Sequence, residues 1–102
     1  MLEDRIIVKA PQGVPPRMVA DYIDRCRAEL PALHTALDGS DFEHMRIYGH
    51  RLRGTGAAYG FPALTEIGGS IEQAGRACDE ARLRKQIVTL EAFLCRVDVV
   101  AE

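Results

Sequence analysis

His50, Arg53 and Gly54 are the residues of this 102-residue sequence whose types and spacing most clearly point to chemistry. In a helix, with about 100° between successive residues, all three lie on one face. Met45 and Leu52 then point in the opposite direction, so we expect the imidazole to face solvent. A neutral imidazole nitrogen is nucleophilic near pH 7, and an arginine one turn away supplies positive charge. This arrangement suits a side chain that accepts a phosphoryl group.

Gly54 is the least expected residue on this face, because glycine costs about 1 kcal/mol relative to alanine inside a helix. A surface without bulky side chains at Gly54 and Ala57 would let the backbone of a partner come close to the imidazole. Arg46 lies one turn before His50 and would bracket the site from the other side. A solvated surface arginine is an equally good interpretation of Arg46.

The elements that must position this segment are four amphipathic helices, which we expect at residues 15–38, 41–59, 62–78 and 80–97. Apolar residues recur every three or four positions in each of them, and the connections are short. Such a pattern predicts an all-α fold, an antiparallel up-down-up-down four-helix bundle. Close packing of the second and third helices is expected at Gly56, Gly68 and Gly69, with Gly68 nearer to the apolar stripe than Gly69. The length favours a single domain over residues 1–102.

Local signals predict where the helices begin and end. Ser40, with Glu43 three residues later, forms a capping-box pattern for the second helix, and Asp79 is a good N-cap for the fourth. Gly60 is expected to end the second helix in a left-handed conformation. Pro31 should bend the first helix rather than divide it, because the apolar stripe keeps its phase on both sides.

The two ends of the chain are rich in β-branched residues, at 6–8 and 97–100. In an up-down-up-down bundle the first helix starts at the end where the fourth finishes. A short two-stranded antiparallel pairing of the termini is therefore predicted.

Composition excludes several classes of function. With 13 basic and 15 acidic residues the net charge is -2, so no overall field favours nucleic acid or an anionic membrane. The sequence has no apolar run of membrane-spanning length and no signal-peptide pattern, which favours a cytoplasmic protein. We expect a monomer. Its three cysteines, in helical apolar patterns without C-x-x-C spacing, are expected to be free thiols in or near the core. We expect no metal site and no cofactor.

The segment from His50 to Gly60 resembles the signature of histidine phosphotransfer (Hpt) domains of two-component phosphorelays. That signature has a histidine, a spacer, an aliphatic residue, a lysine or arginine, a glycine and a small residue, then further small residues and a glycine. The matching positions here are His50, Arg51, Leu52, Arg53, Gly54, Thr55, Gly56 and Gly60. The resemblance extends over about residues 15–97, and arginine at position 53 replaces the commoner lysine.

The resemblance implies that Nε2 of His50 accepts a phosphoryl group from a receiver-domain aspartate and later passes it to another. The protein would be a phosphocarrier rather than an enzyme, with response-regulator receivers and a hybrid sensor histidine kinase as partners. Mg²⁺ would belong to the receiver. Glu72 stands where the family often has a polar partner for the active histidine. The implied receiver-docking residues are Arg46, Gly54, Ala57 and Phe61.

Three alternatives remain open at this point. One is a catalytically silent Hpt-like docking module that binds a response regulator or sensor kinase without turning over phosphate; the intact His50, Arg53 and Gly54 favour the active form. Another is a phosphotransfer or dimerisation piece of a larger sensor kinase. Met1 and the absence of a linker favour a free-standing protein instead, and the sequence has no ATP-binding motif. A purely structural bundle leaves the cost of Gly54 unexplained.

Overall fold

Four α-helices make up most of residues 5–100, the part of the chain that the computed structural model describes. The first, α1, spans Pro16–Asp38 and begins with a proline in its first turn, where a missing N–H costs nothing. Pro31 lies inside α1, and the helix continues through it. Its apolar stripe is buried on both sides of the proline, at Ile23 and at Leu33, so packing holds the two halves in one phase.

The second helix, α2, spans Phe42–Gly56 and is capped by Asp41, whose carboxylate accepts the backbone N–H of His44 at 3.1 Å. The predicted cap at Ser40 is therefore wrong. Ser40 has a φ of 57° and donates its N–H to Leu37, so it belongs to the end of α1 and cannot take the extended conformation of an N-cap.

A single 3₁₀ turn, Ala57–Tyr59, extends α2 before the chain reverses. Gly60 then adopts a φ of 93°, which confirms the predicted left-handed position. The third helix, α3, spans Pro62–Arg76. It ends two residues before the predicted boundary, because Cys78 has a φ of 52° and lies outside the helix.

The fourth helix, α4, spans Glu80–Arg96. Asp79 caps it, as predicted, by accepting the N–H of Arg82 at 3.1 Å. Helices adjacent in sequence pack against each other, and α1 also packs against α4, which closes the four-helix bundle. The core lies between them and is filled by side chains from every helix; its largest fully buried members are Phe61, Ile23, Leu33, Met45, Leu64, Ile71, Leu83, Ile87, Leu90, Leu94 and Val19.

The terminal segments form a two-stranded sheet, β1 (Ile6–Lys9) and β2 (Val97–Val100). The strands run parallel, with Ile6 opposite Val97, so the antiparallel pairing expected from the sequence is wrong. The reason is a turn between β1 and α1. The N–H of Val14 donates to the carbonyl of Pro11 at 3.0 Å, and Gly13 has a φ of 86°. This turn reverses the chain before α1 begins, and the bundle itself becomes the long crossover that parallel strands require.

None of the helices within residues 5–100 combines the length and the apolar character needed to cross a bilayer.

Candidate functional site

His50 lies on the outer face of α2, and its side chain is 61% exposed. Met45, Tyr48 and Leu52 project from the other side of the helix into the core and fix its rotation. The imidazole is not free to rotate, because Nδ1 lies 3.2 Å from Oε2 of Glu72 on α3. The Nδ1 edge of the ring thus contacts the protein, and the rest of the ring is open to solvent.

Glu72 is the buried polar residue at the centre of this site, with a side chain only 5% exposed. Three groups converge on its carboxylate. Oε2 accepts from Nη2 of Arg76 at 3.0 Å as well as contacting His50, and Oε1 lies 3.2 Å from Nε of Arg53. A buried carboxylate needs such partners, since an unpaired charge inside a protein is strongly unfavourable.

The ionised form of Glu72 is favoured by these partners. Burial by itself raises the pKa of the carboxyl group, but the hydrogen bonds from His50 and Arg76 and the charge of Arg53 more than offset it. The pKa of Glu72 therefore lies below its ordinary value. An ionised carboxylate is only an acceptor, so the hydrogen bond to His50 assigns the proton of a neutral ring to Nδ1. Nε2 then carries the lone pair, and no side chain or backbone group of residues 5–100 hydrogen-bonds to it.

Close approach of α2 and α3 brings Glu72 to His50. A Cβ atom on Gly49 would clash with the backbone nitrogen of Glu72, and one on Gly68 would lie 2.5 Å from the backbone nitrogen of Arg53. These contacts leave no room for side chains, so glycine is required where the helices touch. The glycines that form this seam are Gly49, Gly56, Gly68 and Gly75.

The sequence indicated only part of the seam. Gly56 and Gly68 were expected in it, whereas Gly49 and Gly75 were missed. Their spacing of seven residues on each helix, 49 to 56 and 68 to 75, is the signal that could have found them. Gly69 was also expected there, but a Cβ at this position would make only an ordinary 3.5 Å contact with the side chain of Arg53.

The surface beside His50 is open at Gly54, where a Cβ atom would meet nothing within 4 Å. Ala57, in the next turn, is exposed as well. Ile47, one turn before His50, is 47% exposed and was missed by the sequence analysis, although it lies about 60° from His50 around the helix. Gly54, Ala57 and Ile47 thus form an exposed apolar patch beside the imidazole.

Phe61 does not belong to this surface, so its predicted docking role is wrong. It is 1% exposed and packs in the core, with its ring edge-on to Phe93 at 6.1 Å between centroids. The left-handed turn at Gly60 reverses the chain just before it, and Phe61 becomes the residue that precedes α3.

The two candidate cations of α2 are both engaged by carboxylates. Arg53, half-exposed, pairs with Glu72, while Arg46 forms a two-point pair with Glu43 at 2.6 and 3.1 Å. That pair raises the pKa of the Arg46 guanidinium. Arg53 thus joins the cluster around Glu72, and Arg46 is held by its own helix. Arg76 was missed, although its position four residues after Glu72 is a signal for a pair on one helix face.

The cysteines give no sign of a reactive or metal site. Cys26 is buried, and burial raises the pKa of its thiol to about 11. Cys78 and Cys95 are exposed, which corrects the expectation that all three thiols lie in or near the core. In the described part of the chain, no group of three or more histidine, cysteine or acidic side chains could hold a metal ion.

The family model of the Hpt domain matches residues 17–98, and the chain belongs to the Hpt domain family. Hpt domains are histidine phosphotransfer modules of two-component systems, phosphocarriers that interact with receiver domains and kinases. Searches of curated proteins and of solved structures gave no match.

Proposed function

We propose that this protein accepts a phosphoryl group on Nε2 of His50 from the phosphoaspartate of a receiver domain and passes it to a second receiver aspartate. The observation that carries the proposal is the exposed imidazole whose Nδ1 is held by the buried carboxylate of Glu72. A surface histidine without a function needs no such partner. Gly54 adds support, because it leaves space for a partner beside the ring.

The chemistry requires no general base. The Nε2 lone pair attacks the phosphorus atom, an N–P bond forms, the P–O bond to the aspartate breaks, and the aspartate leaves as a carboxylate with the bonding electrons. Nε2 carries no proton to be lost, and the positive charge that develops on the ring is stabilised by Glu72 through the Nδ1–H. Arg53 adds positive charge near the phosphoryl oxygens, where the loose transition state is most negative. The reverse reaction uses the same contacts.

Receivers are proposed to dock on the exposed faces of α2 and α3 around His50, with Gly54, Ala57 and Ile47 at the centre of the interface. A carrier that must release one partner before it meets the next needs a small, weak interface. We further propose that the protein acts as a cytoplasmic monomer, that a hybrid sensor kinase supplies phosphate through its receiver, and that the protein does not phosphorylate itself from ATP.

Phosphoryl transfer from a ³²P-labelled receiver tests the proposal directly. Wild-type protein should acquire an acid-labile, base-stable phosphate, and His50→Gln should acquire none. His44→Gln is the matched control, since His44 is an exposed histidine on the same helix, and it should label like wild type. Normal labelling of His50→Gln would refute the assignment of the site. A wild-type protein that binds receivers but takes no phosphate from them would instead be a docking module.

A further inference from the structure

Arg76 and His50, the proposed phosphoryl acceptor, contact the same carboxylate oxygen of Glu72. Nη2 of Arg76 donates to Oε2 of Glu72 at 3.0 Å, and Nδ1 of His50 contacts the same oxygen at 3.2 Å. Arg76 itself lies on α3, four residues after Glu72, and it contacts the site through that carboxylate. Its exposed guanidinium lines a small surface cavity with Arg53, Gly69 and Glu72.

We infer that Arg76 is a positioning residue for the phosphoryl acceptor: it anchors Oε2 of Glu72, which in turn orients the His50 ring. The inference rests on the proposed carrier function and goes beyond it by naming a residue outside the histidine motif. A carboxylate that has lost one of its two Oε2 donors can rotate, and the Nδ1–H of His50 would then lose a fixed acceptor.

The charge balance at Glu72 points the same way. Burial opposes ionisation of this carboxyl group, and the hydrogen bond from Arg76 is among the contacts that lower its pKa. The other groups facing it are His50 and Arg53, and Arg46 acts on it at longer range. Without Arg76, Glu72 takes up a proton at higher pH. Without a fixed acceptor at Nδ1, a neutral ring can carry its proton on Nε2, and the lone pair then lies on the wrong nitrogen.

The experiment compares Arg76→Gln with a matched control, Arg84→Gln. Arg84 also bonds a glutamate four residues earlier, Glu80, but it lies on α4 away from His50. Two quantities are measured for each variant: the rate of His50 phosphorylation by potassium phosphoramidate, a donor that needs no docking, and the ¹⁵N signals of the His50 ring between about pH 5 and pH 8, which report the tautomer.

In Arg76→Gln, His50 should be phosphorylated about tenfold more slowly than in wild type. A tenfold loss is the lower end of the range seen when a partner that orients a metal-bound histidine is removed. The ¹⁵N signals of this variant should show a smaller fraction of the Nδ1–H tautomer. Arg76→Lys, which keeps the charge, should recover part of the rate. Arg84→Gln should match wild type in every respect.

An Arg76→Gln variant with wild-type rate would overturn the inference, and so would a slower variant with unchanged ring signals, because Arg76 would then not act through Glu72. Either result leaves the carrier function standing, since wild-type His50 is still labelled. If wild-type His50 takes no phosphate from any donor, the carrier function fails, while the ring signals still decide whether Arg76 orients the imidazole.

Discussion

Replacing Gly54 by leucine should leave the protein folded but hinder the approach of its receiver partner. The added Cβ atom meets nothing within 4 Å, and the backbone at Gly54 is not in the left-handed region, so the fold can accept the side chain. Leucine also favours the helix over glycine by up to about 0.8 kcal/mol. For a domain of this size, that gain raises the melting temperature by about 3–6 °C.

The same leucine projects next to His50, on the surface that a receiver must cover. Transfer from a phosphorylated receiver should slow at least about tenfold, which corresponds to about 1.4 kcal/mol in activation free energy. Labelling by phosphoramidate should remain at the wild-type rate, because that donor is too small to touch residue 54. Both rates and the thermal melt are measured on one preparation of Gly54→Leu.

Ala81→Leu is the matched control, because it places the same side chain at an exposed position on α4, the helix diagonal to α2. It should melt near the wild-type temperature and accept phosphate from both donors normally. If Gly54→Leu takes phosphate from the receiver as fast as wild type, partner approach does not need the bare surface. If it is slow with phosphoramidate too, the leucine disturbs the imidazole itself, and the steric reasoning is wrong.

Three further predictions concern the residues around Gly54. Gly68→Ala should lower the free energy of unfolding by about 1–3 kcal/mol, because its Cβ would lie 2.5 Å from the backbone nitrogen of Arg53; an unchanged urea midpoint would contradict this. Arg53→Ala should stay folded, because His50 and Arg76 still contact Glu72. It should accept phosphate from a receiver about tenfold more slowly, less than the ~100-fold loss of a donor fixed on a reacting oxygen, since Arg53 is half-exposed. Because the pKa of Glu72 is lowered in the folded protein, the unfolded chain binds more protons than the folded one as the pH falls. The free energy of unfolding should therefore drop below about pH 5. Urea unfolding of Glu72→Gln should show a smaller drop over the same pH range.

The sequence predicted the helices well, because their signals are local. The apolar stripe of α1, the N-cap at Asp79 and the left-handed Gly60 each depend on residues within one or two turns. The errors occurred at turns, such as the cap predicted at Ser40, and where distant parts of the chain decide the outcome. The direction of β1 depends on the turn after Pro11, and the burial of Phe61 depends on the space that α1 and α4 leave for its ring.

The part of the site on α2, around His50, was predictable from the sequence, but the part on α3 was not. Helical phase alone indicated that His50 is exposed and that Met45 and Leu52 are buried. The depth at which α2 and α3 align cannot be read from either helix separately, so the contact between His50 and Glu72 came only from the family resemblance. Arg76 lay outside that resemblance and was missed for this reason.

The glycine seam explains why the site is found at this depth of the bundle. Gly49 directly precedes His50, and its Cα packs so closely on α3 that a methyl group would clash with the backbone nitrogen of Glu72. The carboxylate therefore reaches the imidazole because the two backbones touch one residue away, and not because either side chain extends unusually far. It follows that a methyl group at Gly49 would separate Glu72 from His50 as well as weaken the fold, whereas a Cβ atom at Gly54 meets no atom of the seam.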